Sequence, residues 1–252
     1  CSTLGVGSPG TVDAAAGVVA YSNNFGWEII PLAEELGKYL NLPIAMTNDA
    51  NAAALGEVVA GAAAGCKNAI LLTLGTGVGG GVILEGKVFE GGFAGGAELG
   101  HVTLIAGGEL CTCGRHGCLE AYASATALIR HGAAAARRCP QSLMNTLCGG
   151  DLTRMNGKIP FDAAQAGDAT AKQVIEDYIR YLGEGIVNMI NIFRPEQIIL
   201  SGGVCAQGTA LTEPLNAYTH RFCFGGDKVF IAPVITATLG NDAGIIGAAN
   251  LT

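Results

Sequence analysis

Apolar positions along this chain recur at two periods, and the switches between them outline a mixed architecture. The clearest helical pattern covers Ala169–Phe193, where Val174, Tyr178, Leu182, Ile186, Met189 and Phe193 recur three or four residues apart. Arg194-Pro195 then ends the run. Shorter apolar runs bounded by turn residues predict buried strands at the N-terminus (residues 2–7), at Leu42–Met46, at Asn68–Leu74, across residues 197–204 and at Lys228–Val234. Residues 8–17 read as a Gly/Pro-rich loop followed by an extended piece over 18–23. The glycine run after Leu74 leads into another apolar stretch, as a hairpin or meander would.

Helices are expected over Pro31–Leu40, with proline in the first turn, and in the Ala-rich segment after "TNDAN". Three more are expected over Leu119–Arg138, Thr209–Phe222 and the final "GNDAGIIGAANL". Strands alternating with helices predict an α/β fold, without a low-complexity linker or short repeat.

Composition narrows the function classes. The 252 residues are 50% apolar and 14% charged, with a formal net charge of −7. A net negative chain lacks the clustered cations that nucleic acids and anionic membranes reward, so neither is an expected partner. No apolar run reaches the ~18 residues of a membrane span. The opening "CSTLGVGSPG" has no basic segment followed by an apolar stretch, so it is not a signal peptide. Nine cysteines, mostly scattered, do not form the even framework of a secreted disulfide scaffold, and a cytoplasmic location is expected.

Three of those cysteines fall within eight residues, in "CTCGRHGC". With His101 as fourth ligand, Cys111, Cys113 and Cys118 make a Cys₃His set, the ligand type of a closed, structural zinc site. Gly114 and Gly117 allow the chain to turn tightly enough for the sulfurs to converge, and His116, inside the turn, is the weaker competitor for the fourth place. A Cys111–Cys113 disulfide would close a strained ring.

The remaining motifs each have two readings. "LGTGVGGG" (Leu74–Gly81) offers N–H groups that suit phosphate oxygens, or is a plain hairpin turn. "TNDAN" (Thr47–Asn51) places Asn48 and Asp49 at a strand-to-helix junction, as a cap or as chemistry at a strand end. Glu98 precedes His101 by three residues and Glu120 lies just beyond Cys118, as surface charges or as acceptors for a hydroxylated ligand. Gly turns at Ile199–Val204 and Leu239–Gly244 are helix starts or nucleotide contacts.

Taken in order, "TNDAN", "LGTGVGGG", "GGAELGH" and "CTCGRHGCLE" resemble the ROK family of repressors, open-reading-frame proteins and sugar kinases, and within it the bacterial glucokinases. The resemblance covers essentially the whole chain and implies the two-domain actin-like/hexokinase ATPase (ribonuclease H-like) fold. It implies a small domain from residues 1–52 plus 240–252 and a large, zinc-bearing domain from 53–239. It also implies Mg²⁺-ATP-dependent phosphorylation of a hexose, typically at its 6-hydroxyl, by a homodimer or dimer of dimers.

Residue by residue, the resemblance makes Asp49 the general base. Asn48, Glu98, His101 and Glu120 become sugar ligands, with Asn24 and Gly10 as further candidates. Thr76 and Gly77 match a phosphate turn, Gly202 and Gly203 the adenosine-side turn, and Gly240 joins them. His101 would bind zinc through one ring nitrogen and face the sugar with the other. The family's opening Asp-x-Gly-Gly-Thr turn has no counterpart in these 252 residues. The resemblance therefore implies about 50 further residues upstream of Cys1, completing the small domain. The chain taken alone is then expected to be weakly active or inactive. A sugar-sensing repressor is the alternative, as is a kinase for fructose, mannose, N-acetylglucosamine or N-acetylmannosamine.

Overall fold

In the computed structural model, which describes residues 2–22 and 25–251, the chain opens with β1 (Leu4–Ser8), β2 (Thr11–Asp13), β3 (Val18–Ser22) and β4 (Trp27–Ile30). Then come α1 (Leu32–Gly37), β5 (Ile44–Asn48), α2 (Asp49–Ala60), β6 (Ala69–Leu74), β7 (Val78–Leu84) and β8 (Lys87–Val88). The second half holds α3 (Glu120–Ala123), α4 (Ala125–Arg138), α5 (Leu143–Leu147), α6 (Ile159–Gln165) and α7 (Ala169–Phe193). It ends with β9 (Gln197–Ser201), α8 (Thr209–Phe222), β10 (Val234–Thr236) and α9 (Asp242–Ala249).

The strands form three sheets. β1 and β5 pair in parallel, β2-β3-β4 is an antiparallel meander, and the largest sheet has the order β10-β9-β6-β7-β8. In that sheet β6, β9 and β10 are parallel, while β7 and β8 return antiparallel. Its strands read as unbroken apolar runs because both faces are covered. Leu71, Ile83 and Ile199 point to one face and pack with Ala54, Leu55 and Val58 of α2. Ile70, Leu72, Ile198 and Leu200 point to the other, against Leu128 of α4, Leu182 and Ile186 of α7, and Leu211 and Leu215 of α8.

Helix α2 joins two of these sheets. It packs against β6 and β7, against β1 and β5, and along α9. The α2–α9 crossing depends on small residues: a Cβ added at Gly56 would lie 2.1 Å from the Ala243 carbonyl oxygen, and one at Gly247 would lie 1.7 Å from that of Ala52. Backbones this close leave no room for any side chain at those two positions.

The periodic segments formed as expected, with α7 and α8 at their predicted bounds. The strand expected across Lys228–Val234 is instead β10, Val234–Thr236. Pro233 has no N–H to give a ladder, and Phe230 is 68% exposed, so pairing starts only after the proline. The expected loop over 8–17 contains β2, and the helix expected over 119–138 is two. It breaks at Ser124, whose extended backbone and hydroxyl cap α4, while the buried Tyr178 hydroxyl donates to the Ala123 carbonyl. Among the described residues no helix is long and apolar enough to cross a membrane.

Candidate active site

Several of the candidate residues lie beyond the carboxyl ends of parallel strands, where open α/β sheets place their ligands. Gly10 follows β1, and Asn48 and Asp49 stand where β5 becomes α2. Asn48 caps that helix, its Oδ1 accepting from the N–H groups of Ala50 (2.8 Å) and Asn51 (3.3 Å). Its amide nitrogen donates to the Gly10 carbonyl at 3.0 Å, which draws those two candidates together. Capping and chemistry are thus compatible here: Asn48 fixes the helix start, and Asp49, the first helical residue, is left exposed.

Glu98 precedes a 3₁₀ turn, Leu99–His101, and accepts the His101 N–H through its carbonyl at 3.0 Å. One side of Glu98 meets solvent, but its carboxyl is set among other groups. Desolvation pushes it above the ordinary carboxylate value, His101 opposes this, and the charges of Asp49 and Glu120 add to it.

Glu120 is buried at the start of α3, and its carboxylate is a bridge. Oε2 accepts from the Val78 N–H at 3.0 Å, while Oε1 accepts from the Thr112 hydroxyl at 2.5 Å and the Cys111 thiol at 3.4 Å. One side chain thus joins the glycine turn after β6 to the cysteine loop. Gly77 is required for this: a Cβ there would lie 2.3 Å from Oε2. Thr112 was not a sequence candidate; its position between two clustered cysteines was the one available signal.

The cysteine loop is held by a short antiparallel bridge, Leu110 to His116, and by turns at Gly114 and Gly117, both at positive φ (84° and 87°). His101, Cys111, Cys113 and Cys118 converge, with their ligand atoms all within 4.8 Å of one another. His101 Nδ1 lies 3.6 Å from Cys111 Sγ, and Cys113 Sγ lies 3.7 Å from Cys118 Sγ. A tetrahedron with arms of about 2.3 Å to sulfur and about 2.05 Å to nitrogen has S–S edges of about 3.8 Å and S–N edges of about 3.6 Å. The two spacings match a zinc-sized centre, and 3.7 Å is far from a disulfide bond of about 2.05 Å. His116 turns away and bonds the Gly108 carbonyl at 2.8 Å. Burial pushes the Cys111 and Cys118 thiols up, while the Arg115 backbone N–H pulls Cys113 down.

On the glycine side, Thr76 and Gly77 form the turn between β6 and β7, which is a tight hairpin. Gly202 and Gly203 follow β9, beside the end of β6, and Gly240 follows β10. All three turns therefore leave the same edge of the sheet. A cavity of about 850 Å³ runs along β1 and α9 and reaches Asp49, but none of Glu98, His101 or Glu120 lines it. Asn24 lies outside the described residues.

The model of the ROK family matches residues 1–252. The chain belongs to the ROK family. It therefore shares the actin-like ATPase fold of that family. The glucokinase of Halalkalibacterium halodurans is 39% identical over 254 residues, covering 97% of this chain and 74% of that protein. A solved ROK glucokinase from Streptomyces griseus, in complex with glucose and AMPPNP, superposes with a TM-score of 0.86 at 36% identity, covering 98% of this chain and 80% of that one. ROK relatives also include a xylose repressor of Caldicellulosiruptor bescii, 31% identical over 88% of this chain and 55% of the repressor.

Proposed function

We propose that this ROK chain is an ATP-dependent hexose kinase with glucose as its substrate. The observation that carries the reading is Asp49 standing exposed at the start of α2, just beyond the carboxyl end of β5, with the glycine turns after β6, β9 and β10 leaving one edge of the neighbouring sheet. Similarity to glucokinases over nearly the whole chain supports it.

In this reading the sugar hydroxyl attacks the γ-phosphorus of ATP. The new O–P bond forms as the bond to the β-γ bridging oxygen breaks; Asp49 takes the hydroxyl proton and ADP leaves. Such a transfer depends mostly on positioning and charge stabilisation, so an exposed carboxylate at a helix start suffices as base. Asn48, Glu98, His101 and Glu120 hold the other hydroxyls, and the family resemblance adds Gly10 and Asn24 as further candidates. Thr76, Gly77, Gly202, Gly203 and Gly240 attend the nucleotide, and Mg²⁺ enters with ATP.

The Cys₃His set would hold a structural Zn²⁺. With His101 Nδ1 facing the sulfurs, the ion would fix the ring's tautomer and leave Nε2 for the sugar. A homodimer or a dimer of dimers is the assembly the family resemblance supports.

ATP turnover by protein expressed from the whole gene, measured over a panel of hexoses, tests the reading. Glucose is expected to give the highest kcat/KM. A higher value for mannose, fructose or an N-acetylhexosamine would reassign the substrate. Sugar binding without any ATP turnover would favour the sugar-sensing repressor, the reading that the xylose-repressor relatives keep open.

Gly77 gives a narrower test of the Glu120 assignment. Gly77→Ala should displace the Glu120 carboxylate and weaken sugar binding by about 10–100-fold, the worth of a hydrogen bond to a charged group. Gly75→Ala, whose Cβ would meet nothing within 4 Å, should leave sugar affinity unchanged. Calorimetric titration of both variants decides whether Glu120 touches the sugar.

A further inference from the structure

Glu57, in the last part of α2, has no exposed surface and no ion-pair partner among the described residues. A buried carboxylate without a counter-ion is costly unless donors surround it. Here they do. Oε1 accepts from the Leu239 N–H at 2.8 Å and the Thr238 N–H at 3.1 Å. Oε2 accepts from the Ala62 N–H at 2.7 Å, the Thr238 N–H at 3.2 Å and the Thr238 hydroxyl at 3.3 Å.

These donors come from two places. Ala62 lies just beyond the helix that carries Glu57, whereas Thr238 and Leu239 lie in the connection from β10 to α9. The next residue of that connection is Gly240. At its other end the same helix begins with Asp49. The helix backbones of α2 and α9 already touch at Gly56–Ala243 and Ala52–Gly247, so the two helices form a stiff pair. The connection itself has two backbone N–H groups, at Thr238 and Leu239, that among the described residues only Glu57 satisfies.

We propose that Glu57 is a positioning residue for the nucleotide side of the site: it fastens the Thr238–Gly240 connection to α2 and so fixes Gly240 relative to Asp49. The proposal rests on the kinase reading and on the assignment of Gly240 to the nucleotide. A carboxylate is the group this place requires, because it accepts at both oxygens and donates nowhere. Glutamine keeps the shape but turns an NH₂ toward N–H donors, which releases one side of the fastening.

Steady-state kinetics of Glu57→Gln, with ATP and sugar varied separately, test this. The expected result is a rise of about tenfold or more in KM for ATP, the scale set by misplacing a binding group by a fraction of an ångström. Sugar affinity, measured without nucleotide, should stay within about twofold, because the sugar ligands do not depend on the connection. Amide exchange at Thr238 and Leu239 should speed up. Val58→Ala, a buried change in the same helix outside the fastening, controls for lost stability and should leave KM for ATP unchanged. An unshifted KM for ATP in Glu57→Gln would overturn the proposal, as would an equal loss of sugar affinity or the same shift in Val58→Ala. Failure of the unaltered protein to turn over ATP would instead overturn the kinase reading. In that case the exchange rates alone would still show whether Glu57 holds the connection.

Discussion

Asp49→Asn is expected to lower kcat by about 10²–10⁴-fold, the usual worth of a positioned general base. That is about 2.7–5.4 kcal/mol of transition-state stabilisation at 1.36 kcal/mol per tenfold. The substitution removes the proton acceptor and little else. Asparagine has the same shape and keeps the Oδ1 that accepts from the Ala50 N–H at 3.0 Å, the N-cap of α2 is Asn48, and the side chain is exposed, so the fold loses no buried partner. Sugar affinity should therefore change by less than about tenfold, the worth of one ordinary hydrogen bond at most. Pre-steady-state turnover with glucose and ATP, beside sugar titration by intrinsic fluorescence, separates the two quantities. An unchanged kcat would move the base elsewhere, and Glu98, the other exposed carboxylate among the candidates, would be the first place to look. A parallel collapse of kcat and sugar affinity would make Asp49 a binding residue.

What the sequence made legible follows from where its signals were local. The α7 stripe could be read to its last residue because one face of a long helix is buried throughout: Val174, Tyr178, Leu182, Ile186 and Met189 are all in the core. The Cys₃His set was legible because its ligand types are rare and closely spaced. The β6–β7 glycines were ambiguous for a physical reason. They serve close packing, with Gly81 lying against Ala50 and Ala54 of α2, and such contacts leave no mark on neighbouring residues. The Lys228–Val234 strand failed because apolar composition outweighed the missing N–H of Pro233. The bridges through Glu120 and Glu57 were invisible, since each joins segments 42 and 181 residues apart through a single carboxylate. A lone glutamate in sequence carries no sign of whether water or backbone N–H groups will surround it.

Removing the proposed zinc site should weaken sugar binding without unfolding the chain. The loop that carries the cysteines has a small apolar cluster of its own: Cys111, Cys118, Ala121 and Tyr122, flanked by Leu104 and Tyr181. Two of those four are themselves proposed ligands, so the ion is expected to do most of the cross-linking there. The rest of the core, built around the five-stranded sheet and α7, does not depend on it. Cys113 is the ligand to change, because it is exposed and serine there opens no cavity. Cys113→Ser is expected to lower bound zinc well below one per chain. It should also weaken sugar affinity by about 10–100-fold, the effect typical of losing what orients a metal-linked group. Both changes should be reproduced in the unaltered protein by a chelator, while Cys66→Ser, outside the cluster, should cause neither. Metal analysis by mass spectrometry, paired with sugar titration, reads both quantities on one sample. Zinc loss with unchanged sugar affinity would detach His101 from the sugar site. Full zinc retention in Cys113→Ser would mean that the fourth place is held by another group, either the introduced hydroxyl or the Glu120 carboxylate, whose Oε1 lies 3.4 Å from Cys111 Sγ.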